Sequence, residues 1–298
     1  KSEAKAAFAD ETVYIEKYLQ KCRHIEVQVF GDSHGNSAHL FERECSIQRR
    51  HQKVIEEAPS SALTETQRQE ICDTALKIVN GIKYKNAGTI EFLWSEGDFY
   101  FLEMNTRIQV EHAVTEMITG VDIVKAQIEV AEGKPLNQDI LKAQIHGHAI
   151  EARIYAENPQ NNYLPTQGTI QSIGSCNIPS TRVETSFLNG LKVPLEFDSM
   201  LAKVCAWNSD RTSATQRLIQ ALENLPFSGI INNRNHLIEI LHTDNFNKGN
   251  TTTDFLNQFN SPPPPSVSPE VIAAFLLNDS DSLHPSQSTV YNPWLSHE

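Results

Sequence analysis

Between Phe41 and Lys53 the chain sets Arg43, Arg49, Arg50, His51 and Lys53 into one short run, although its formal net charge is -12. A cationic cluster of that density, away from a terminus, is costly unless something anionic neutralises it. Something anionic is therefore expected at this segment. A solvated charged face is the simpler alternative, and the spacing lets only two or three of the five cations converge on one ligand. Overall acidity argues against a general nucleic-acid or anionic-membrane surface, so any anion binding has to be local. A second polar run, Glu103-Met104-Asn105-Thr106-Arg107-Ile108-Gln109-Val110-Glu111-His112, mixes carboxylates, amides, a guanidinium and an imidazole. Together the two runs suit phosphate, a divalent metal and a small anion.

The 298 residues allow one large domain or two ordinary ones, and 39% hydrophobic with 21% charged residues supplies a real core. The five cysteines (Cys22, Cys45, Cys72, Cys176, Cys205) are scattered and form no CxxC pair. Neither a disulfide framework nor a zinc site is indicated. A reducing compartment is expected, the cytoplasm or the mitochondrial matrix. The apolar run from Val271 to Leu277 is too short to span a bilayer, and no signal peptide is visible. The opening residues, Lys1 to Phe8, read as the middle of a helix without an initiator Met, so a fragment or processed product is expected.

Thr12 to Tyr18 and His24 to Phe30 alternate polar and apolar, as strands do. Asp32-Ser33-His34-Gly35-Asn36 is a turn cluster, after which Ser37 to Phe41 can return as a paired strand. Thr64 with Gln67 three residues on forms a capping-box pattern, followed by Ile71, Ala75, Ile78 and Val79 at helical spacing. Ile118 to Ala131 reads as one amphipathic helix ending at Gly133. The texture changes near Gln144. Beyond it short strands are expected at Ala149 to Tyr155, Thr169 to Ile173, Thr181 to Thr185 and Ala202 to Trp207, then a helix from Asp210 to Leu222. The boundaries are set at 1–143, 144–260 for a second small domain, and 261–298 for a tail. The tail opens with the polyproline stretch Pro262 to Pro265 and carries a helical patch from Pro269 to Leu277.

Thr89 to Trp94 and Phe99 to Met104 read as a hairpin. A two-residue loop would set Glu91 opposite Leu102; a three-residue loop, Glu96-Gly97-Asp98, pairs Glu91 with Glu103 on one face with Asn105. The same register stacks Ile90, Phe92 and Trp94 with Tyr100 and Leu102 on the core side. Two carboxylates and an amide suit a hard cation such as Mg²⁺, and a solvated hairpin face is the alternative. Continuing that strand would put Asn105, Arg107, Gln109 and Glu111 on one side. Arg107 can hold a carboxylate-like anion, and a nearby carboxylate can act as base; a surface ion pair between Arg107 and Glu111 is the plainer reading. Arg153, His24 and His112 each stand as structural residues on their own, and Cys45, beside the cations, is read as packing. The 13 glycines include no Gly-Gly pair, no GxGxxG and no P-loop.

The strings Glu16 to Leu19, Arg23 to Val29, Glu42 to Pro59, Gly88 to Phe92, Glu103 to Gly120, His148 to Glu157 and Phe197 to Lys203 resemble the biotin carboxylase component of biotin-dependent carboxylases, an ATP-grasp family. The resemblance covers residues 1–259, and RRHQK followed by EMNTRIQVEH is its most specific combination. It implies an α+β fold: the C-terminal part of an ATP-grasp domain, an antiparallel sheet with helices, followed by a small biotin carboxylase C-terminal α+β domain. It implies a reaction in which ATP phosphorylates bicarbonate to carboxyphosphate, which breaks down to CO2 and phosphate. The phosphate takes the proton from biotin N1′, and the enolate attacks CO2.

By matching strings, the resemblance makes Glu91 and Glu103, with Asn105 beside them, ligands of Mg²⁺ or Mn²⁺. Glu111 becomes the base toward bicarbonate, Lys53, Arg107, Gln109 and Val110 its pocket, and Arg153 the cation for the biotin enolate. Glu16, Lys17, Leu19, His24, Gln48, His51 and Leu93 become the ATP site. Ala113 stands where the family has Pro. The family's N-terminal domain and Gly-rich lid are expected to be missing, and with them activity of the fragment alone. No Met-Lys-Met motif appears, so biotin is expected on another domain or chain. The implied partners are a second copy, forming a homodimer in the complete enzyme, and a carboxyltransferase subunit. Thr181-Arg182-Val183-Glu184 and Thr253-Asp254-Phe255-Leu256 look most like α subunits of methylcrotonyl-CoA or propionyl-CoA type carboxylases. Urea carboxylase, another ATP-grasp ligase, and an inert docking or dimerisation fragment stay open.

Overall fold

The computed structural model describes residues 1–196 and 198–259. The polyproline stretch and the helical patch expected after it lie outside the described residues. An eight-stranded, wholly antiparallel sheet organises the rest. Its strands are β1 (Arg23–Gly31), β2 (Ser37–Arg49), β3 (Gln52–Ala58), β4 (Asn86–Ser95), β5 (Asp98–Asn105), β6 (His148–Tyr155), β7 (Thr181–Glu184) and β8 (Met200–Asn208), in the spatial order β7-β8-β6-β3-β2-β1-β4-β5. The helices that concern the site are α1 (Ser2–Phe8), α2 (Glu65–Gly81), α3 (His112–Thr119), α4 (Ile123–Ala131), α5 (Gln138–Leu141), α6 (Arg211–Glu223) and α7 (Arg234–His242). The α+β class expected from the sequence is the class observed.

Alternation decides which face of the sheet does what. On β1, Ile25, Val27 and Val29 join Ile90 and Phe92 of β4 in a core against Ile71, Cys72, Ala75 and Val79 of α2. That helix starts with the capping box read from Thr64 and Gln67. Farther along the sheet, Ile154 of β6 and Val204 of β8 pack with Leu218 of α6 and Leu237 of α7. The residues in between, His24, Glu26 and Gln28, point the other way and are buried all the same. A buried face built of polar side chains is expensive unless every group finds a partner.

Several expectations are corrected. Thr12 to Tyr18 is not a strand; it carries no regular structure and is exposed. Its alternation has no neighbouring strand to bury it. The expected helix from Ile118 to Ala131 is two helices, α3 and α4, because Gly120 ends α3 in the left-handed region at φ 72 and Asp122 caps α4 afresh through Lys125 N. Thr169 to Ile173 divides between two separate short pairings, Gly168–Thr169 and Ser172–Ile173. The expected boundary at 143/144 falls in the loop between α5 and β6, and β6 pairs with β3 across it.

The hairpin reaches its expected pairing by another route. Ser95 pairs with Asp98, so the loop is the two-residue Glu96-Gly97, both at positive φ (54 and 95). A bulge at Leu102 then restores Glu91 opposite Glu103. The bulge also changes the apolar partners. Phe99 and Met104, rather than Tyr100 and Leu102, join Phe92 and Trp94 in the core.

The turn cluster after β1 is fixed by Asp32. Its carboxylate accepts from His34 N at 2.8 Å, Asn36 N at 2.9 Å, Asn36 Nδ2 at 2.7 Å and Leu136 N at 2.8 Å. Burial raises its pKa, but the four donors outweigh that and hold it at about 2 against an ordinary 3.8. A depressed carboxylate stabilises the fold above its ordinary pKa and loses that contribution as pH falls through the folded value. Asp32→Asn is expected to cost about 1–3 kcal/mol at neutral pH. In urea unfolding, the gap from the unsubstituted protein should close as pH drops from 3.8 toward about 2.

Candidate active site

Register places one row of charged side chains across four strands: Arg43 of β2 faces Glu26 of β1, Glu26 faces Glu91 of β4, and Glu91 faces Glu103 of β5. Arg43 is fully buried. Its guanidinium donates to Gln28 Oε1 at 2.7 Å and, at 3.1–3.2 Å, to Glu26, Thr89, Gln109 and Thr115. Lys53 reaches the same row from the start of β3. Its ammonium donates to Glu26, to Glu111 Oε1 at 2.7 Å and to Glu91 Oε1 at 3.1 Å. Burial opposes its charge, but Glu26 and the neighbouring anions override that and raise the pKa.

The cationic run is thus neutralised by the protein's own carboxylates. Arg43 and Lys53 converge on the row. Arg49 turns aside to Glu157 at 2.7 Å, and Arg50 and His51 occupy the exposed β2–β3 turn at positive φ. Cys45, fully buried, has its thiol pKa pushed well up by burial and by Glu26, as suits packing.

Glu91 engages four partners. It pairs with His24 Nε2 at 2.7 Å and accepts from Asn105 Nδ2 at 2.8 Å and Gln109 Nε2 at 2.7 Å as well as from Lys53. Burial raises its pKa, but His24, Lys53 and Gln109 outweigh it and bring it to about 2. Gln48 approaches His24 Nδ1 at 3.3 Å. Asn105 also donates to Glu103 Oε1 at 3.1 Å, joining the two predicted acids. Glu103 is exposed while Glu91 is buried, so the pair runs from the buried row to the surface.

Glu111 arrives differently from expectation. The strand stops at Asn105, and residues 106–110 form a turn that seats Glu111 at the N-cap of α3. That turn separates the side chains which simple alternation would have kept together. Gln109 and Glu111 go in, whereas Arg107 stays exposed and donates to Ile108 O at 3.1 Å. The plainer Arg107–Glu111 pair does not form: Glu111 Oε2 accepts from Arg153 Nη2 of β6 at 2.8 Å. Burial pushes the Glu111 pKa up, yet Lys53, Arg153 and Arg43 together hold it well below the usual carboxylate range. Val110 contributes its carbonyl to Lys203 of β8.

Lys53, His24, Gln48, Glu91, Glu103, Asn105, Gln109, Glu111 and Arg153 therefore form one hydrogen-bonded constellation. Leu93 lies beside His24 in the next row. Glu16, Lys17 and Leu19 sit in the irregular segment before β1, where Lys17 Nζ donates to Tyr100 Oη at 3.0 Å. Sequence reasoning missed Glu26 and Glu56, both fully buried. The signal for Glu26 was present in His24-Ile25-Glu26-Val27-Gln28, polar at every second position of an otherwise apolar strand. Among the described residues, His24, Glu26 and Glu91 bring ligand atoms within 4.8 Å of one another, as do Glu26, Cys45 and Glu111.

The family described as carbamoyl-phosphate synthase L chain, ATP binding domain, matches residues 1–139, and the biotin carboxylase C-terminal domain matches residues 151–258. The chain belongs to the biotin carboxylase family. Within it, the alpha subunit of the mitochondrial methylcrotonoyl-CoA carboxylase of Mus musculus is 46% identical over 86% of this chain and 36% of its own length. The biotin carboxylase of Allochromatium vinosum is also 46% identical, over 87% of this chain and 57% of its own. A biotin carboxylase–β,γ-ATP complex from Campylobacter jejuni superposes with a TM-score of 0.83 at 43% identity, covering 87% of this chain and 58% of that one. The biotin carboxylase domain dimer of Hydrogenobacter thermophilus 2-oxoglutarate carboxylase, in complex with MgADP, ADP and bicarbonate, gives 0.83 and 43%, covering 86% and 57%. The chain thus spans from about a third to little more than half of the relatives it matches. No helix among the described residues is long and apolar enough to cross a membrane.

The buried row makes a stability prediction. Arg43→Leu removes a cation from Glu26 without replacing its hydrogen bonds, and the loss of one partner from a buried pair is strongly destabilising. About 3–5 kcal/mol is expected, read as a lower urea midpoint with an unchanged slope.

Proposed function

We propose that this chain carries the bicarbonate-activating part of a biotin carboxylase, joining bicarbonate to biotin at the expense of ATP within an acyl-CoA carboxylase. The observation that carries this reading is the carboxylate of Glu111, clamped between Lys53 Nζ at 2.7 Å and Arg153 Nη2 at 2.8 Å, next to the Glu91–Asn105–Glu103 group. With both cations engaged, Glu111 is ionised but weakly basic. A bicarbonate anion entering this cluster would compete for Lys53 and Arg153. Sharing them raises the basicity of Glu111 as the substrate proton comes within reach. Glu111 then takes that proton, and the freed bicarbonate oxygen attacks the γ-phosphorus of ATP, with ADP leaving. Lys53 stays charged throughout, held so by Glu26 and Glu91, and offers a fixed positive field to the phosphorylated product. Arg153 is the cation available to the anion that develops on biotin.

The donor set fits magnesium: two carboxylates from paired strands, with Asn105 now donating its Nδ2 to both and able, by turning its amide, to present Oδ1 to an ion in their place. When bound there, the ion supplies charge neutralisation for the nucleotide phosphates. His24, Gln48, Leu93 and Lys17 line the approach proposed for ATP. Arg107 is assigned to the bicarbonate pocket and His51 to the ATP site from the family resemblance; both are exposed. The family matches over 1–139 and 151–258 support a division near residue 143. Biotin on a carrier domain and a carboxyltransferase are the proposed partners; the methylcrotonoyl-CoA relative favours an acyl-CoA acceptor.

Two substitutions in the full-length enzyme containing this chain test the reading. Glu111→Gln should abolish bicarbonate-dependent ATP cleavage, by at least about a hundredfold, while ATP affinity stays nearly intact; unchanged turnover would remove Glu111 as the base. Glu103→Lys should weaken Mg²⁺–ATP binding by about tenfold or more in a direct titration, and unaltered affinity would remove Glu103 from the metal site.

A further inference from the structure

The constellation has an inner wall that the proposed reaction does not use. Glu56 of β3 and Glu151 of β6 are cross-strand partners, and both are fully buried. They lie behind the guanidinium of Arg153. Glu56 Oε1 is 2.5 Å from Arg153 Nη2, and Glu151 Oε1 is 4.0 Å from Arg153 Nε. Neither oxygen of Glu56 has a hydrogen bond of proper geometry among the described residues, nor has Glu151 Oε1 or Arg153 Nε. Arg153 is therefore hydrogen-bonded in front, to Glu111, and backed by Glu56 and Glu151 without a directional bond. Its neighbour in the next strand, Lys203, is shared among Glu184 at 3.1 Å, Val110 O and, at 3.9 Å, Glu151 Oε2. Burial pushes Glu56 up to about 8, with Arg153 pulling it down and Glu151 and Glu111 pushing it up; Glu56 thus holds a proton while Glu111 is an anion and releases it more readily once Glu111 is neutral.

Two fully buried carboxylates side by side are unfavourable for the fold. Their position beside one guanidinium gives the cost a use. When Glu111 takes a proton it stops being an anion, and the charge that holds Arg153 forward disappears. A guanidinium with no remaining counter-ion would swing out toward water. We propose that Glu56 is a positioning residue for Arg153, retaining the guanidinium in the pocket when Glu111 gives up its charge, so that Arg153 faces the next anion to form. Holding it by charge without a directional bond leaves the group free to turn toward that anion. This inference rests on the reading of Glu111 and Arg153 given above.

The test is Glu56→Gln in the full-length enzyme, followed in two assays: bicarbonate-dependent ATP cleavage without biotin, and its stimulation by free biotin. Glutamine keeps the shape and removes the charge. Biotin-stimulated kcat should fall roughly tenfold, with the KM values for ATP and bicarbonate unchanged and the biotin-independent rate within about twofold. A purely structural role would lower both rates together, and that result overturns the proposal, as does a biotin response equal to that of the unsubstituted enzyme. If Glu56→Gln does not fold, Glu56→Asp, which keeps the charge but withdraws it, should show the same split at smaller size; equal losses in both assays again overturn it. Failure of the unsubstituted enzyme to cleave ATP with bicarbonate would instead overturn the reading of the whole site, and the role of Glu56 with it.

Discussion

The ammonium of Lys53 sits where three carboxylates from three different segments meet, Glu26, Glu91 and Glu111. It shares the neutralising of those acids with Arg43 for Glu26 and Arg153 for Glu111, and they in turn keep Lys53 charged at that depth. Arg43 has a matching role deeper in the row, with amides and hydroxyls filling the remaining valences. The polar face of the sheet is thus a set of mutual obligations. Each charged group is fixed in position before any substrate arrives, which is the preorganisation that charge-developing reactions require.

Much of this was readable in the sequence because the period of a strand is strict. Polar residues at alternate positions of His24 to Gln28 imply a strand with two unlike faces, and the pairing of Glu91 with Glu103 follows from a hairpin whose apolar side must close. What alternation could not show is where it stops. The strand ends at Asn105, and from there the path of the backbone decides which side chains enter, so Arg107 and Glu111 separate. Nor could the bulge at Leu102 be seen. The correct pairing was expected from the wrong loop, because one residue added in the turn and one added in the strand have the same effect on register. The strand expected at Thr12 to Tyr18 shows the converse: periodicity without a neighbour makes no sheet.

The other half of the site depends on pairing between strands far apart in sequence. Arg153 reaches Glu111 because β6 lies against β3, and β8 in turn holds β6 through the register Lys203 to Arg153. Local reading finds each strand but not their order. The family resemblance supplied the link between Glu111 and Arg153 before any coordinates did, and the antiparallel order β8-β6-β3-β2 is its physical basis.

The bulge at Leu102 has a bearing beyond the site. Within the described residues β5 is the outermost strand, and it carries Phe101 at 57% and Leu102 at 45% exposure. A straight, sticky border of that kind invites a second molecule to zip onto it. An extra residue throws the outer peptide groups out of step and twists the border, so a stranger finds no continuous ladder to join. The irregularity that sets two acids face to face therefore also guards the molecule against aggregation.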